Sequence, residues 1–144
     1  RNRAASLVVG AYHTGGQSRW APEAGFAYAE RLGEVQAKDP AGLLKAARGA
    51  IEAGDQALAC AVAQRYGEQG HPERPLFDLL LSYAVTEDGA LHAEKYYRTV
   101  VEEFTTTRAS LRWRQMIALA RVTASEHGYP APGYATACEL LGIS

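Results

Sequence analysis

Residues 39–66 read DPAGLLKAARGAIEAGDQALACAVAQRY, and this stretch decides the fold class. Apolar residues recur in it at intervals of three and four, which is the spacing of one face of an α-helix. Asp39 and Pro40 are typical of a helix start, because an aspartate accepts hydrogen bonds from free backbone N–H groups and proline suits the first turn. Gly54 and Asp55 are expected to end the first helix and cap the second. The stretch therefore predicts two helices joined by a tight turn.

The same pattern recurs about 33 residues later in the chain. Two helix pairs are predicted, over 40–69 and 75–104, and a less regular third pair over 108–141. Successive αα-hairpins of this size resemble tetratricopeptide repeats in architecture, although the tryptophan-leucine-glycine-tyrosine pattern of that family is absent. We predict an all-α fold of six to eight helices arranged as stacked αα-hairpins, with an irregular helical bundle as the alternative. The aligned turns are Gly54-Asp55-Gln56-Ala57-Leu58 and Glu87-Asp88-Gly89-Ala90-Leu91.

The composition and the residue pattern agree with packed helices and argue against a β-sheet. Alanine, the best helix former, supplies 27 of the 144 residues, which favours closely approaching helices. No segment alternates between polar and apolar residues over the length of a strand, so a β-sheet is not expected. The length suits one all-helical domain over 1–144, of which 1–21 form an N-terminal segment and a Gly-rich polar loop.

Charge and targeting signals limit the partners and the compartment. Fifteen basic and 16 acidic side chains give a net charge of −1, without the basic excess of nucleic-acid-binding proteins. No apolar run reaches the roughly 18 residues that span a bilayer, and no signal peptide is recognisable, so a soluble, cytoplasmic protein is expected. The first residue is Arg1, which is compatible with a processed product or an excised domain. Cys60 and Cys138 lie in apolar helical stretches and are expected to be buried, reduced thiols.

The strongest candidate for chemistry is a polar cluster in the second helix pair. Asp88, His92 and Tyr96 follow one another at intervals of four residues, so a helix places them on one side. A carboxylate one turn before a histidine can fix its tautomer and raise its basicity, and a tyrosine can donate a proton. These three are the candidate catalytic residues. The alternative is structural: Asp88 caps the helix, His92 is partly buried beside it, and Glu94 pairs with Arg98 on the surface.

Ligand binding is predicted around the same helix and a Gly/Ser-rich loop over 13–20, whose glycines allow close backbone approach. The loop has neither glycine pattern of phosphate or dinucleotide sites, so a plain connector is the alternative. No metal site is predicted, because the Glu-x-x-His motif of di-iron bundles does not recur on two helices. The candidate ligand-binding residues are His92, Tyr96, Tyr97, Arg98, His13 and Trp20.

Residues 87–92, Glu-Asp-Gly-x-x-His, together with the helical hairpin before them, resemble helical segments of uncharacterised bacterial proteins. Some of those segments are similar to ones that accompany Rieske-type iron–sulfur domains. The resemblance covers residues 50–104 and implies an association with redox proteins. This chain lacks the Rieske ligand set of two C-x-H-type pairs, so no cluster is implied for it.

Two functions of different classes therefore stay open, and with them whether the protein is an enzyme. The first is a binding or scaffolding module that uses a groove between hairpins around residues 92–97, with a protein partner or a small-molecule ligand. The second is a metal- or cofactor-dependent oxidoreductase, or its accessory domain, with His92 as ligand or general base and a second histidine such as His13, His71 or His127. The cofactor of such an enzyme is not identified by the sequence.

Overall fold

The computed structural model describes Val8 and residues 26–86, 92–131 and 133–143. Within these residues the chain forms one 3-10 helix and six α-helices and no strand, which confirms the predicted all-α class and helix number. The 3-10 helix spans Tyr28–Glu34. The α-helices are α1 Pro40–Glu52, α2 Gln56–Glu68, α3 Glu73–Thr86, α4 His92–Thr106, α5 Arg112–Glu126 and α6 Tyr134–Leu141.

The first hairpin, α1 and α2, has the caps that the sequence predicts. The Asp39 carboxylate accepts a hydrogen bond from the Gly42 N–H at 2.8 Å, and the Asp55 carboxylate accepts one from the Leu58 N–H at 2.9 Å. Gly54 adopts the left-handed conformation between the helices, with φ of 65°, where a side chain would be strained. Each aspartate thus satisfies a backbone donor that the first helical turn leaves free.

Two helix boundaries differ from the sequence-based prediction. The apolar spacing predicts a helix from about 22 to 37, but within 26–37 only the 3-10 helix Tyr28–Glu34 forms. The three threonines at 105–107 predict a break between helices, yet α4 continues through Thr106. The hydroxyls of Thr105 and Thr106 donate to the Glu102 carbonyl one turn back, so they bond within α4 rather than capping α5. The N-cap of α5 is Leu111, which makes no side-chain cap bond.

Helices α1 to α5 close into a ring. Going round it, each helix packs against the next in the order α1, α2, α5, α4, α3 and back to α1, with the smallest interface between α3 and α1. Helix α5 also contacts α1 and α3 across the ring, whereas the consecutive helices α2 and α3 share no comparable interface. Both predicted hairpins, α1 with α2 and α3 with α4, are present, but the repeat stack is not confirmed. The packing is that of the alternative, an irregular bundle, because α5 fills the gap between the two hairpins.

The core lies inside this ring and is built largely from small and aromatic side chains. Nine alanines of the described residues are buried, which lets the helix backbones approach closely. Gly67 of α2 makes the closest approach: a Cβ there would lie 2.7 Å from Cε3 of Trp113 on α5. Aromatic rings join α5, α4 and α3: the ring centroids of Trp113 and Phe104 are 5.6 Å apart, and those of Phe104 and Phe77 are 5.3 Å apart. The largest fully buried side chains are Tyr66, Leu43, Ile51, Leu76, Leu80, Met116 and Leu119.

The sequence predicts a last helix over 134–141, and α6 has these bounds but buries none of its described side chains. It ends at Gly142, where the Ile143 N–H bonds back to the Cys138 carbonyl at 3.0 Å. Leu140 is 82% and Leu141 71% exposed. Among the helices formed by the described residues, none has the length and apolar character needed to cross a membrane.

Candidate functional site

The predicted cluster on α4 spreads over different sides of the helix. The Tyr97 ring faces the core and packs edge-on against Phe77, with centroids 6.0 Å apart. Tyr96, the next residue back, is 49% exposed. The two tyrosines therefore point about 100° apart around α4, Tyr97 toward α3 and Tyr96 toward solvent.

Arg98 and His92 complete the candidates on α4. The Arg98 Nε pairs with Glu102 at 3.5 Å, in place of the expected pair with Glu94, and lies on the exposed surface. His92 is the first residue of α4, and its side chain lies outside the described part of the structure. The role of His92 as ligand or base therefore stays a prediction.

Three further candidates also lie outside the described residues. These are Asp88 from the candidate catalytic group and His13 and Trp20 from the Gly-rich loop. The spatial relation of these three residues to α4 stays a prediction as well.

A groove of about 440 Å³ runs along α1 and α3, between the two hairpins. This size falls within the range of pockets that hold small ligands or a few side chains of a partner. The groove is not at the predicted place, because no residue of 92–97 is among the described residues that line it. We call it the inter-hairpin groove. Its lining residues are Leu44, Lys45 and Arg48 on α1 and Pro75, Asp78, Leu79 and Ser82 on α3.

The charges of the inter-hairpin groove are unevenly balanced. Asp78 on the α3 side is paired with Arg74, Oδ1 to Nε, at 2.7 Å. On the α1 side, neither Lys45 nor Arg48 makes an ion pair within the described part of the chain. The Arg48 guanidinium instead lies 6.0 Å from the centre of the Tyr83 ring. The groove therefore presents two cationic groups on one wall.

Tyrosines next to the inter-hairpin groove are held in their neutral form. Burial, and then the hydrogen bond that the Tyr83 hydroxyl donates to Glu52 at 3.1 Å, raise the Tyr83 pKa. Burial raises the pKa of Tyr97, and the negative charge of Asp78 raises it further. Tyr97 thus stands close to the α3 wall of the groove and supports that wall, although it does not line the groove itself.

Neither cysteine belongs to a metal-binding group formed by the described residues. No cluster of three or more His, Cys, Asp or Glu side chains is present within 26–86, 93–131 and 133–143. Cys60 and Cys138 are both free thiols. Cys60 is buried as expected, and burial raises its pKa to about 11. Cys138 is only half-buried, which corrects the expectation that both thiols are buried, because α6 lies at the margin of the bundle.

The basic wall of the inter-hairpin groove is not among the sites predicted from the sequence. Lys45 and Arg48 stand three residues apart on the polar side of α1, a spacing that also describes any solvated helix face. Their placement opposite α3 follows from the closure of the ring, which no local pattern encodes.

Comparisons with known proteins return no matching family model, no matching curated protein and no matching solved structure. The resemblance of residues 50–104 to bacterial helical segments therefore stays a prediction.

Proposed function

We propose that this chain is a helical binding module whose inter-hairpin groove holds an acidic, partly apolar segment of a partner protein. The observation that carries the proposal is the groove itself, placed between the two hairpins with the cations Lys45 and Arg48 on its α1 wall. Neither cation is neutralised by an ion pair from the described residues. Basic groups along a groove favour a partner of opposite charge, because complementary charges steer encounter and penalise like-charged competitors.

Apolar residues of the groove supply the second part of the recognition. Leu44, Leu79 and Pro75 line it, so an aliphatic or aromatic side chain of the partner can be covered there. The Ser82 hydroxyl donates to the Leu79 carbonyl at 2.6 Å. This bond leaves its oxygen lone pairs as acceptors for a backbone N–H of the bound segment.

The candidate residues on α4 have two roles under this proposal. Tyr97 stiffens the α3 wall from behind through its contact with Phe77. Tyr96 is half-exposed and provides a second contact for a partner segment that continues past α3. Arg98 lies on the opposite side of α4, because residues two apart in a helix point about 200° apart, and it takes no part in this contact. The contribution of Tyr96 is smaller than that of Lys45 and Arg48, because Tyr96 does not line the groove.

A peptide array tests the proposal, with the purified chain as the probe and peptides that vary independently in net charge and apolar content. Peptides with several carboxylates around one large apolar side chain are expected to bind best. Fluorescence anisotropy on the best peptide then gives the dissociation constant of each variant. Replacing both cations, Lys45→Glu with Arg48→Glu, is expected to weaken binding by about a hundredfold, since each close charge pair contributes about 1–2 kcal/mol.

The matched control is Arg108→Glu with Arg114→Glu, which makes the same charge change at exposed positions near and on α5. This control is expected to change binding less than about threefold through the general field alone. Equal losses of peptide affinity in the two double variants, or a preference for basic or uncharged peptides, would rule out the inter-hairpin groove as the binding site. Tyr96→Ala tests the second contact alone and is expected to lower the peptide affinity a few-fold.

A further inference from the structure

A second and larger groove lies beside the C-terminal end of α2 and shares no lining residue with the inter-hairpin groove. Residues 28–38, which we call the strap, comprise the 3-10 helix and an extended segment and run along α2. Between the end of the strap and the end of α2 is a groove of about 660 Å³, which we call the strap groove. Its lining residues are Leu32, Gly33, Val35, Gln36, Ala37 and Lys38 of the strap and Arg65, Gln69 and His71.

Polar contacts hold the strap at three points to α2 and the residues that flank it. Near the start of the strap, Arg31 Nη2 donates to Oδ2 of Asp55, the N-cap of α2, at 2.9 Å. In the middle of the strap, Nη2 of Arg65 on α2 donates to the Leu32 carbonyl at 3.2 Å. At the end of the strap, Nε2 of His71, which follows α2, lies 3.3 Å from the Lys38 carbonyl. The Arg31 and Arg65 contacts, together with the packing of Val35 and Ala37 against the core, fix the strap, so the chain itself forms the strap groove.

The chemistry of the strap groove is cationic and apolar. Lys38 and Arg65 contribute positive charge, and no carboxylate is among the described residues that line it. Arg65 Nη1 also pairs with Glu68 at 3.0 Å, and the Glu68 side chain is 42% exposed. A guanidinium has five N–H donors, so Arg65 keeps donors for a further acceptor beyond Glu68 and the Leu32 carbonyl.

The apolar half of the strap groove is formed by the strap itself. Val35 and Ala37 pack against the core, and Leu32 precedes them, so these side chains form a fixed apolar wall. A ligand with a hydrocarbon body against this wall can direct an anionic head toward Lys38 and Arg65. A carboxylate suits the planar guanidinium because two oxygens can accept two parallel N–H donors.

We propose that the strap groove is a binding site for a small organic carboxylate with an apolar body. The volume of the groove lies within the usual range for small-molecule sites, which favours a free acid over the end of a protein chain. The site differs from the inter-hairpin groove in its position, its lining residues and its ligand. Loss of binding at one groove therefore leaves the other unaffected.

The probe is 4-phenylbutyrate, with 4-phenylbutan-1-ol as its neutral match, added to the full chain and followed by two-dimensional ¹H–¹⁵N NMR. The expected result is a saturable shift of the Gly33, Gln36, Gln69 and Gly70 amides. The alcohol is expected to bind at least about tenfold more weakly, because it lacks the charge that Lys38 and Arg65 recognise. Equal binding of acid and alcohol, or shifts confined to other regions, would overturn the proposal.

Variants then identify the cations. Lys38→Gln is expected to weaken 4-phenylbutyrate binding several-fold and Arg65→Gln at least about tenfold, since Arg65 can form the bidentate contact. Arg65→Gln also removes a strap contact, so Arg65→Lys serves as the second variant that keeps the charge and is expected to bind in between. Lys95→Gln with Arg114→Gln is the control and is expected to leave the affinity unchanged. A control loss as large as that of Lys38→Gln would mean non-specific charge attraction and would contradict the proposal.

A final titration identifies the source of the carboxylate. A short peptide that ends in phenylalanine is added with a free C-terminal carboxylate and, separately, with a C-terminal amide. We expect both peptides to bind more weakly than 4-phenylbutyrate. Tighter binding of the free-carboxylate peptide would overturn the assignment to a small molecule and indicate capture of a protein C-terminus.

Discussion

Helices α2 and α6 contain nearly the same four residues but have opposite environments. Residues 57–60 of α2 read Ala-Leu-Ala-Cys, and residues 135–138 of α6 read Ala-Thr-Ala-Cys. In α2 the cysteine is 1% exposed and five other side chains are buried. In α6 no described side chain is buried. Alanine-rich local sequence is therefore enough to form a helix here but not to place it in the core.

The difference comes from what each helix offers to its neighbours. Helix α2 adds Val62 and Tyr66 to its alanines at helical spacing, so its apolar side can pack against both α1 and α5. Helix α6 is only eight residues long and has its largest apolar residues, Leu140 and Leu141, at one end. It makes no extensive contact with another described helix. Four experiments test how tightly α2 is packed, and three of them compare it directly with α6.

The two cysteines give the largest expected contrast. In the folded protein a thiol reagent such as 5,5′-dithiobis(2-nitrobenzoate) is expected to label Cys138 at least about a thousandfold faster than Cys60, because Cys60 reacts only when the core opens. Burial also raises the Cys60 pKa to about 11, which lowers its thiolate fraction at neutral pH. Labelling is followed by absorbance, with Cys138→Ser and the denatured protein as controls. Comparable rates in the folded state would mean that α2 is not buried as described.

Two tyrosines test the same contrast by stability. Tyr66→Ala on α2 is expected to lower the free energy of unfolding by about 3–5 kcal/mol, whereas Tyr134→Ala on α6 changes it by less than about 0.5 kcal/mol. Urea denaturation followed by circular dichroism measures both. Tyr66→Phe sharpens the result: the Tyr66 hydroxyl is buried without a hydrogen-bond partner among the described residues, so its removal is expected to be neutral or stabilising. A loss above about 1 kcal/mol in Tyr66→Phe would contradict this.

Two helical glycines separate close packing from helix propensity. Gly67→Ala pushes a methyl group into the Trp113 indole and is expected to cost about 1–3 kcal/mol. At Gly49 on α1, no atom of the described residues lies within 4 Å of the position that an alanine methyl group would take. Gly49→Ala is therefore expected to stabilise the fold by about 0.4–1 kcal/mol. Thermal unfolding of the two variants compares them, and the same sign in both would mean that the Gly67–Trp113 approach does not hold α2 against α5.

The N-caps give the smallest expected effect. Asp55 caps α2, whereas the N-cap of α6, Gly133, offers no side chain, so Asp55→Ala is expected to cost about 0.5–2 kcal/mol at pH 7. The Leu58 N–H, and then Arg31, lower the Asp55 pKa in the folded protein. The stabilisation is therefore present above the pKa of the unfolded chain and is lost as the pH falls through the lower folded value.

Urea titrations at pH 7 and at about pH 3 measure this dependence. The difference in the free energy of unfolding between the parent protein and Asp55→Ala is expected to be smaller at low pH. Asp55→Asn keeps the cap and removes only the charge, so it is expected to lie between the two. A gap that widens on acidification would contradict the assigned direction of the pKa shift.

Much of the fold was accessible from the sequence because its signals are local. Asp39, Gly54 and Asp55 mark helix ends through hydrogen bonds to residues no more than five positions away. The intervals of three and four between apolar residues of 39–66 identified the buried sides of α1 and α2. The extension of α4 through Thr106 was missed, because a threonine hydroxyl can bond within a helix or cap the next one and its sequence context does not decide between them.

The candidate site was less accessible, because a groove belongs to two segments at once. The sequence analysis groups Tyr96 and Tyr97 as candidate ligand-binding residues, and helical spacing could not show that Tyr97 turns toward Phe77 on another helix. The same limit applies to the cations of both grooves. These cations are Lys45 and Arg48 in one groove and Lys38 and Arg65 in the other. In the sequence each is an ordinary charged residue of a polar surface, and only the fold shows which chain segment lies opposite it.

The sequence by itself determined the helical class, the caps of α1 and α2 and the buried sides of these two helices, since these depend on residues within one or two turns. Tertiary structure alone decided that α5 joins α2 and α4 and closes the bundle. That closure rests on contacts such as Gly67 with Trp113, in which the absence of one side chain makes room for another far along the chain. Such shape matching depends on both partners together, and neither local sequence contains it.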